Sequence, residues 1–281
     1  MNVVLIGAGN IATSLSVTLQ QQGHTISQIW SRTLASARQL AARLNDGDKI
    51  AATNQLSDIQ PNADLYILAV KDGALAAMAE QLGCVLKDRH CAYSEQRLFV
   101  HVACTQSMDV LRPLRAYGMT GVLYPFQSFV RSRVVDMSKV AFFVEGDSEN
   151  SLKTVRDLAH AFSPSVYEAD YNQRLYLHFA GNMACNFSNC LYAIAKEVLD
   201  EAHLPFDVLL PIADESAQKI HQMSPREAQA GPAMRRDDVT IAKHLELIGK
   251  LSTPTALDPN APFGLKDIYR FFTYNIQAAS C

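Results

Sequence analysis

The first twenty residues constrain the fold of this chain more than any other stretch. Residues 2–7, NVVLIG, form a short unbroken apolar run that reads as a buried strand. From Asn10 to Gln22, apolar residues recur at Ile11, Leu15 and Leu19 with the spacing of a helix. The turn between them is Gly7-Ala8-Gly9-Asn10-Ile11-Ala12, a GxGxxA sequence. Gly7 permits the tight turn, Gly9 lets backbone approach a pyrophosphate, and Ala12 keeps the helix close to the sheet. Amide groups left over at the helix start, together with the helix dipole, favour an anion there. Strand, glycine turn and helix in this order predict a dinucleotide site contacted by Gly7, Gly9, Asn10 and Ile11.

The remaining pattern extends that unit into a sheet. HTISQIWS at 24–31 is rich in strand formers and precedes an amphipathic helix at 35–44, which completes a βαβ unit. Further strands are expected at 64–70, 98–103, 121–125, 140–144 and 166–169, with a helix at 148–161. Such alternation predicts an α/β fold, a doubly wound, open parallel sheet flanked by helices. After residue 170 the texture changes. Long periodic segments at 173–202, 206–223, 237–251 and 264–279 read as helices, separated by LPFD, SPREAQAGP and STPTALDPNAPFG. The expected organisation is a Rossmann-like dinucleotide-binding domain over 1–169 and an all-helical substrate and dimerisation domain over 170–281. A length of 281 residues suits two cores better than one.

The end of the second strand selects the dinucleotide. A carboxylate there would bind the ribose 2′-hydroxyl of NAD and repel the 2′-phosphate of NADP. No Asp or Glu occurs between Gly9 and Asp46, and the position reads Ser31-Arg32-Thr33. One guanidinium and two hydroxyls suit a phosphate, which predicts NADP. Downstream, Ala69-Val70-Lys71 ends another strand on the same edge, where small residues would let the nicotinamide half pass. Lys71 would touch a phosphate or substrate there, unless it is simply a solvated loop residue, as exposed loop lysines more often are. LFVHVACTQ delivers His101, Cys104 and Thr105 to that edge, with His101 read first as a core residue.

Substrate chemistry is expected from the helical half. His178, Asn182, Asn186 and Asn189 follow at spacings of four, four and three, along one face of an otherwise apolar helix. Polar groups on such a face cost desolvation unless they meet partners, water or a ligand. Imidazole is suited to exchanging a proton near neutral pH, so His178 is the expected acid–base group, and Asn182 and Asn186 the orienting ones. The other reading is a polar network joining helices or subunits. A second constellation is Gly231-Pro232-Ala233-Met234-Arg235-Arg236-Asp237-Asp238 with His244 beyond it. There Asp237 or Asp238 would cap a helix carrying His244, and Arg235 would bind a substrate carboxylate, unless both arginines simply face solvent.

Charge and cysteine usage narrow the partners. The formal net charge is −3, and no Lys/Arg cluster exceeds two adjacent residues, which argues against nucleic acid and anionic membranes. No apolar run approaches the roughly 18 to 20 residues of a membrane span. The six cysteines show neither CxxC nor zinc-ligand spacing, so no metal is expected. Free thiols and the lack of a secretory leader predict a cytoplasmic protein with a small-molecule substrate.

With these residues in view, the chain resembles a family described as NADP oxidoreductases, which join a Rossmann-like domain to a helical C-terminal domain of unknown function. The resemblance rests on GAGNIA at 7–12, SRT at 31–33, AVKD at 69–72, YPFQSF at 124–129, LHFAGNMACNF at 177–187, LPFDVLLPIADE at 204–215 and GPAMRRD with His244. It is more distantly similar to pyrroline-5-carboxylate reductases, β-hydroxyacid dehydrogenases and deazaflavin-dependent NADP reductases. Those relatives imply a homodimer through the helical domain and hydride transfer to a small carbonyl, imine or hydroxy compound. The β-hydroxyacid dehydrogenases carry a lysine four residues before an asparagine; His178 and Asn182 keep the spacing but not the lysine. A non-catalytic NADP-binding sensor or assembly protein is the competing expectation, and a deazaflavin partner a third.

Overall fold

Alternation along the first strand decides how the sheet is covered. In the computed structural model, which describes residues 1–279, β1 (Asn2–Ile6) has Val3 and Leu5 packed on one face and Val4 and Ile6 on the other, all fully buried. A strand apolar on both faces needs helices on both, as parallel sheets provide. On the Val3/Leu5 side lie α1 (Asn10–Gln21) through Ala12, Leu15 and Leu19, α2 (Leu34–Ala41) through Ala37 and Leu40, and α4 (Glu149–Phe162) through Val155, Leu158 and Phe162. On the Val4/Ile6 side lies α3 (Asp72–Asp88) through Leu75, Met78, Leu82 and Leu86.

The sheet order is β3-β2-β1-β4-β5-β6-β7-β8, with β2 Thr25–Trp30, β3 Ala51–Thr53, β4 Leu65–Leu68, β5 Ser94–His101, β6 Gly118–Phe126, β7 Ala141–Gly146 and β8 Val166–Glu168. Strands β1 to β6 are parallel, and the order reverses between β1 and β4. That reversal is the topological switch point, where the carboxyl ends of a doubly wound sheet open a crevice. The sequence leads to a wholly parallel sheet, whereas β7 runs antiparallel to β6. The reason lies in the connection: 127–140 contains no α-helix, and without a crossover helix the chain returns beside β6 in the opposite sense. α4 then carries the chain over to β8, parallel to β7.

The chain divides into two compact units, Met1–Gly181 and Asn182–Cys281. The first closes with α5 (Tyr171–Gly181), whose start is capped reciprocally: Gln173 N–H donates to Asp170 Oδ1 at 2.8 Å, and Asp170 N–H to Gln173 Oε1 at 2.9 Å. The second opens with a π-helical stretch, Asn182–Phe187, followed by α6 (Ser188–Glu201), α7 (Leu210–Lys219), α8 (Asp238–Ile248) and α9 (Leu265–Ala279). One continuous α-helix over 173–202 is thus interrupted by a wider turn. Among its described residues the second unit buries only Ile194, Ala233, Pro254 and Thr273. Large apolar side chains stay open instead, including Ile212 at 64%, Val239 at 68% and Phe271 at 62% exposure. No helix among the described residues is long and apolar enough to cross a membrane.

Candidate functional site

The glycine turn is held from both sides by neighbouring strands. Gly7 N–H donates to Trp30 O at the end of β2 (2.8 Å), and Ala69 N–H, just past β4, donates to Ile6 O (2.7 Å). Gly7 has φ +121°, and a Cβ added there would stand 2.2 Å from the Ala69 carbonyl oxygen. Only glycine fits such a backbone approach. Gly9 is the N-cap of α1 and supplies no side-chain acceptor, and the first turn carries no carboxylate. Its leading amides, at Asn10 and Ile11, are therefore the unpaired donors of a helix start. This cradle fits a dinucleotide diphosphate, which would bring the charge and the acceptors the turn lacks.

The other expected cofactor residues lie on the same carboxyl edge. Ser31 is buried past β2, its N–H on Thr53 O at 3.0 Å, while Arg32 and Thr33 are exposed. Thr33 precedes α2 and donates to Ser36 Oγ at 2.8 Å. Ala69 and Val70 are half-buried beyond β4, and Lys71 is exposed at the start of α3. Since β2, β1 and β4 are adjacent, their ends place all three groups side by side.

Beyond β5 and β6 the edge carries a polar cluster of buried and half-buried side chains. Asp72 accepts from the Thr105 hydroxyl, and the Cys104 thiol donates to Arg174 O at 2.9 Å and also hydrogen-bonds Tyr124. Burial pushes both the Cys104 thiol and the Tyr124 phenol up from their ordinary values, so both stay protonated near neutrality. Arg174, on α5, is fully buried and joins the Glu145 carboxylate, Ala169 O (3.0 Å) and Gln106 O (3.0 Å). His101 is fully buried as well, and its Nδ1 accepts from Ala103 N–H at 3.2 Å. Burial, reinforced by the Arg174 charge, pushes its pKa down to about 3 and keeps the ring neutral. Arg131, Tyr124 and Arg174 were not among the candidates that spacing singles out. Two arginines in the helix-free run SFVRSRVVD at 128–136 were the available signal for the first.

The substrate-side candidates fall in both units. His178 is exposed on α5, in the first unit. Asn182 and Asn186 belong to the π-helical stretch of the second unit, half-buried and exposed respectively. A π turn holds more residues than an α turn, so these two stand less than one turn apart. Arg235 is exposed in the turn that begins at Gly231, which has φ +108°. Asp237 caps α8, accepting from Thr240 N–H (3.0 Å) and Thr240 Oγ1 (2.7 Å). His244 on α8 has its Nδ1 2.8 Å from the Tyr269 hydroxyl of α9, with the two rings edge-to-face.

A glycine-turn dinucleotide fold at the N-terminus with a helical C-terminal part defines a broad class, and comparison narrows it. Residues 1–124 match a Rossmann-like domain, and 140–275 match a domain of unknown function, DUF2520. A protein from Bacteroides fragilis, provisionally described as an NADP oxidoreductase, is 36% identical, with 99% of this chain and 98% of that one covered and a TM-score of 0.83. The chain belongs to the family that joins a Rossmann-like domain to a DUF2520 domain. An imine reductase from Myxococcus stipitatus in complex with NADP⁺ shares the fold at 14% identity, covering 99% of this chain and 92% of that one, TM-score 0.59. A pyrroline-5-carboxylate reductase from Coxiella burnetii does so at 14% identity, 99% and 96% coverage, TM-score 0.55. No curated protein matches the chain.

Proposed function

We propose that this protein is an NADP-dependent oxidoreductase. The observation that carries the reading is the glycine turn pressed against Ala69, with uncapped α1 amides above it and Ser31-Arg32-Thr33 in place of a carboxylate past β2. The description of the Bacteroides relative supports it. In this reading the Asn10 and Ile11 amides hold the diphosphate, and Arg32 with the Ser31 and Thr33 hydroxyls holds the 2′-phosphate. Ala69 and Val70 leave room for the nicotinamide half, and Lys71 stands beside it. The bound cofactor supplies a hydride. His178 exchanges the proton that a carbonyl, imine or hydroxy substrate gains or loses, while Asn182 and Asn186 orient that substrate. Arg235 binds a substrate carboxylate, and His244, fixed by Tyr269, stands as a second imidazole on the substrate side.

Residues 170–281 act as the substrate and dimerisation domain, and 1–169 as the NADP domain. Dimerisation is supported by the scarcity of buried residues in the second unit, where Ile212, Val239 and Phe271 stay open. A cytoplasmic setting accords with free thiols at Cys84, Cys91, Cys104, Cys185 and Cys190. The test is NADPH oxidation against keto acids and cyclic imines, and NADP⁺ reduction by hydroxy acids. Turnover that falls in both His178→Ala and Asn186→Ala supports the assignment. Undiminished turnover in both removes these residues from the chemistry, and tight NADPH binding without turnover on any class points to a sensor.

A further inference from the structure

The helix-free segment 127–136, between β6 and β7, is tied to both sides of the glycine turn. Asn10 Nδ2, on the first residue of α1, donates to Phe129 O at 2.8 Å. Arg131 Nη2 donates to Ala8 O, inside the turn, also at 2.8 Å. Beyond it, Val135 N–H reaches Ser14 Oγ on α1 at 3.2 Å, and Arg43 Nη1 holds the Arg131 carbonyl at 2.9 Å. The segment therefore lies against the start of α1 where the diphosphate is expected.

Its electrostatics are one-sided. A guanidinium beside a helix N-terminus meets charge of its own sign, an arrangement that costs free energy unless an anion sits between them. Among the described residues Arg131 has no carboxylate partner, and α1 offers no acid in its first turn. Asp136, the acid on the same segment, is taken up by Ser138 and Lys139. Arg131 is exposed and spends one N–H on the Ala8 carbonyl, leaving the rest of its donor fork open. A diphosphate would satisfy both the fork and the helix amides.

We infer that Arg131 is a ligand of the dinucleotide diphosphate and that 127–136 is a strap that tightens over the bound cofactor. This rests on the NADP reading above. Because the diphosphate is common to both dinucleotides, Arg131 contributes equally to NADPH and NADH, unlike Arg32, which faces the 2′-phosphate.

The chain's single tryptophan, Trp30, supplies the readout: its carbonyl anchors Gly7, and energy transfer to a reduced nicotinamide bound beside it would quench its emission. Titrating the full-length protein with NADPH and with NADH, Arg131→Ala is expected to weaken both by the same factor, about 10- to 100-fold, with Arg131→Lys in between. Saturating NADPH is expected to slow trypsin cleavage after Arg131 and Arg133. Unchanged affinities in Arg131→Ala, or a loss confined to NADPH, overturn the strap while leaving the cofactor reading standing. A wild-type protein that binds neither dinucleotide overturns both.

Discussion

Replacing Arg174 with methionine tests how the carboxyl edge of the sheet is held together. The guanidinium is fully buried and serves three acceptors: the Glu145 carboxylate, Ala169 O and Gln106 O, the latter two each at 3.0 Å. Methionine keeps most of the length and none of the donors. Removing one partner of a buried ion pair costs roughly 3–5 kcal/mol, because the other charge is left without compensation. The Glu145 side chain retains 25% exposure, so water relieves part of that penalty and places the expected loss near the lower bound, about 3 kcal/mol. Trp30 lies in β2 of the first unit, so urea unfolding followed by its fluorescence reads the unit that contains Arg174. Removing the stranded charge as well, in Arg174→Met/Glu145→Leu, should recover about 1 kcal/mol or more of the loss. A loss under about 1 kcal/mol for Arg174→Met, or strictly additive effects in the double variant, would show that Arg174 and Glu145 are not a coupled buried pair.

Three shorter expectations follow from the same geometry. Gly7→Ala drives a methyl to 2.2 Å from backbone oxygen at a left-handed φ, so it should cost about 3 kcal/mol or more and abolish saturable NADPH binding; an unchanged melting midpoint would contradict this. His101 has a folded pKa of about 3 against an ordinary 6.5, so between those values the unfolded chain takes up a proton that the folded one refuses. The stability this neutral ring contributes is complete above pH 6.5 and is lost as pH falls toward 3, by up to about 1.4 kcal/mol per pH unit. His101→Asn, which keeps an acceptor for Ala103 N–H, should flatten the slope of wild-type stability across that window; identical slopes would show the ring is not held neutral. Sedimentation should find wild type at twice the mass of one chain and Ile212→Glu/Phe271→Glu at a single chain's mass, and a monomeric wild type would end the dimer proposal.

Much of the first unit was legible because its signals are local. The apolar run of β1, the glycine turn and the spacing of Leu15 and Leu19 each fix an element without distant contacts. β3 escaped because Ala51-Ala52-Thr53 carries almost no strand signal and is held by its pairing with β2. The antiparallel β7 was readable in principle, since 127–140 shows no crossover helix, but strand periodicity says nothing about direction. Arg174 sits within a helical pattern at a position that looks solvated, and only the three acceptors gathered by Ala169, Gln106 and Glu145 explain its burial. The π-helical stretch at Asn182–Phe187 has no such local mark. On the candidate site, the expected cofactor positions follow from strand ends and adjacency, whereas Arg131 meets Ala8 across 123 residues, and its one sequence mark, a pair of arginines in a helix-free run, names no partner.

The proposed 2′-phosphate site past β2 has a direct readout. The most direct measurement is the ratio of NADH to NADPH dissociation constants in the wild type and in Arg32→Asp. NADPH is expected to bind the wild type at least about tenfold more tightly than NADH, with the preference lost or inverted when a carboxylate replaces the guanidinium. A wild type that binds NADH as tightly as NADPH, or an Arg32→Asp protein with an unaltered ratio, would contradict it.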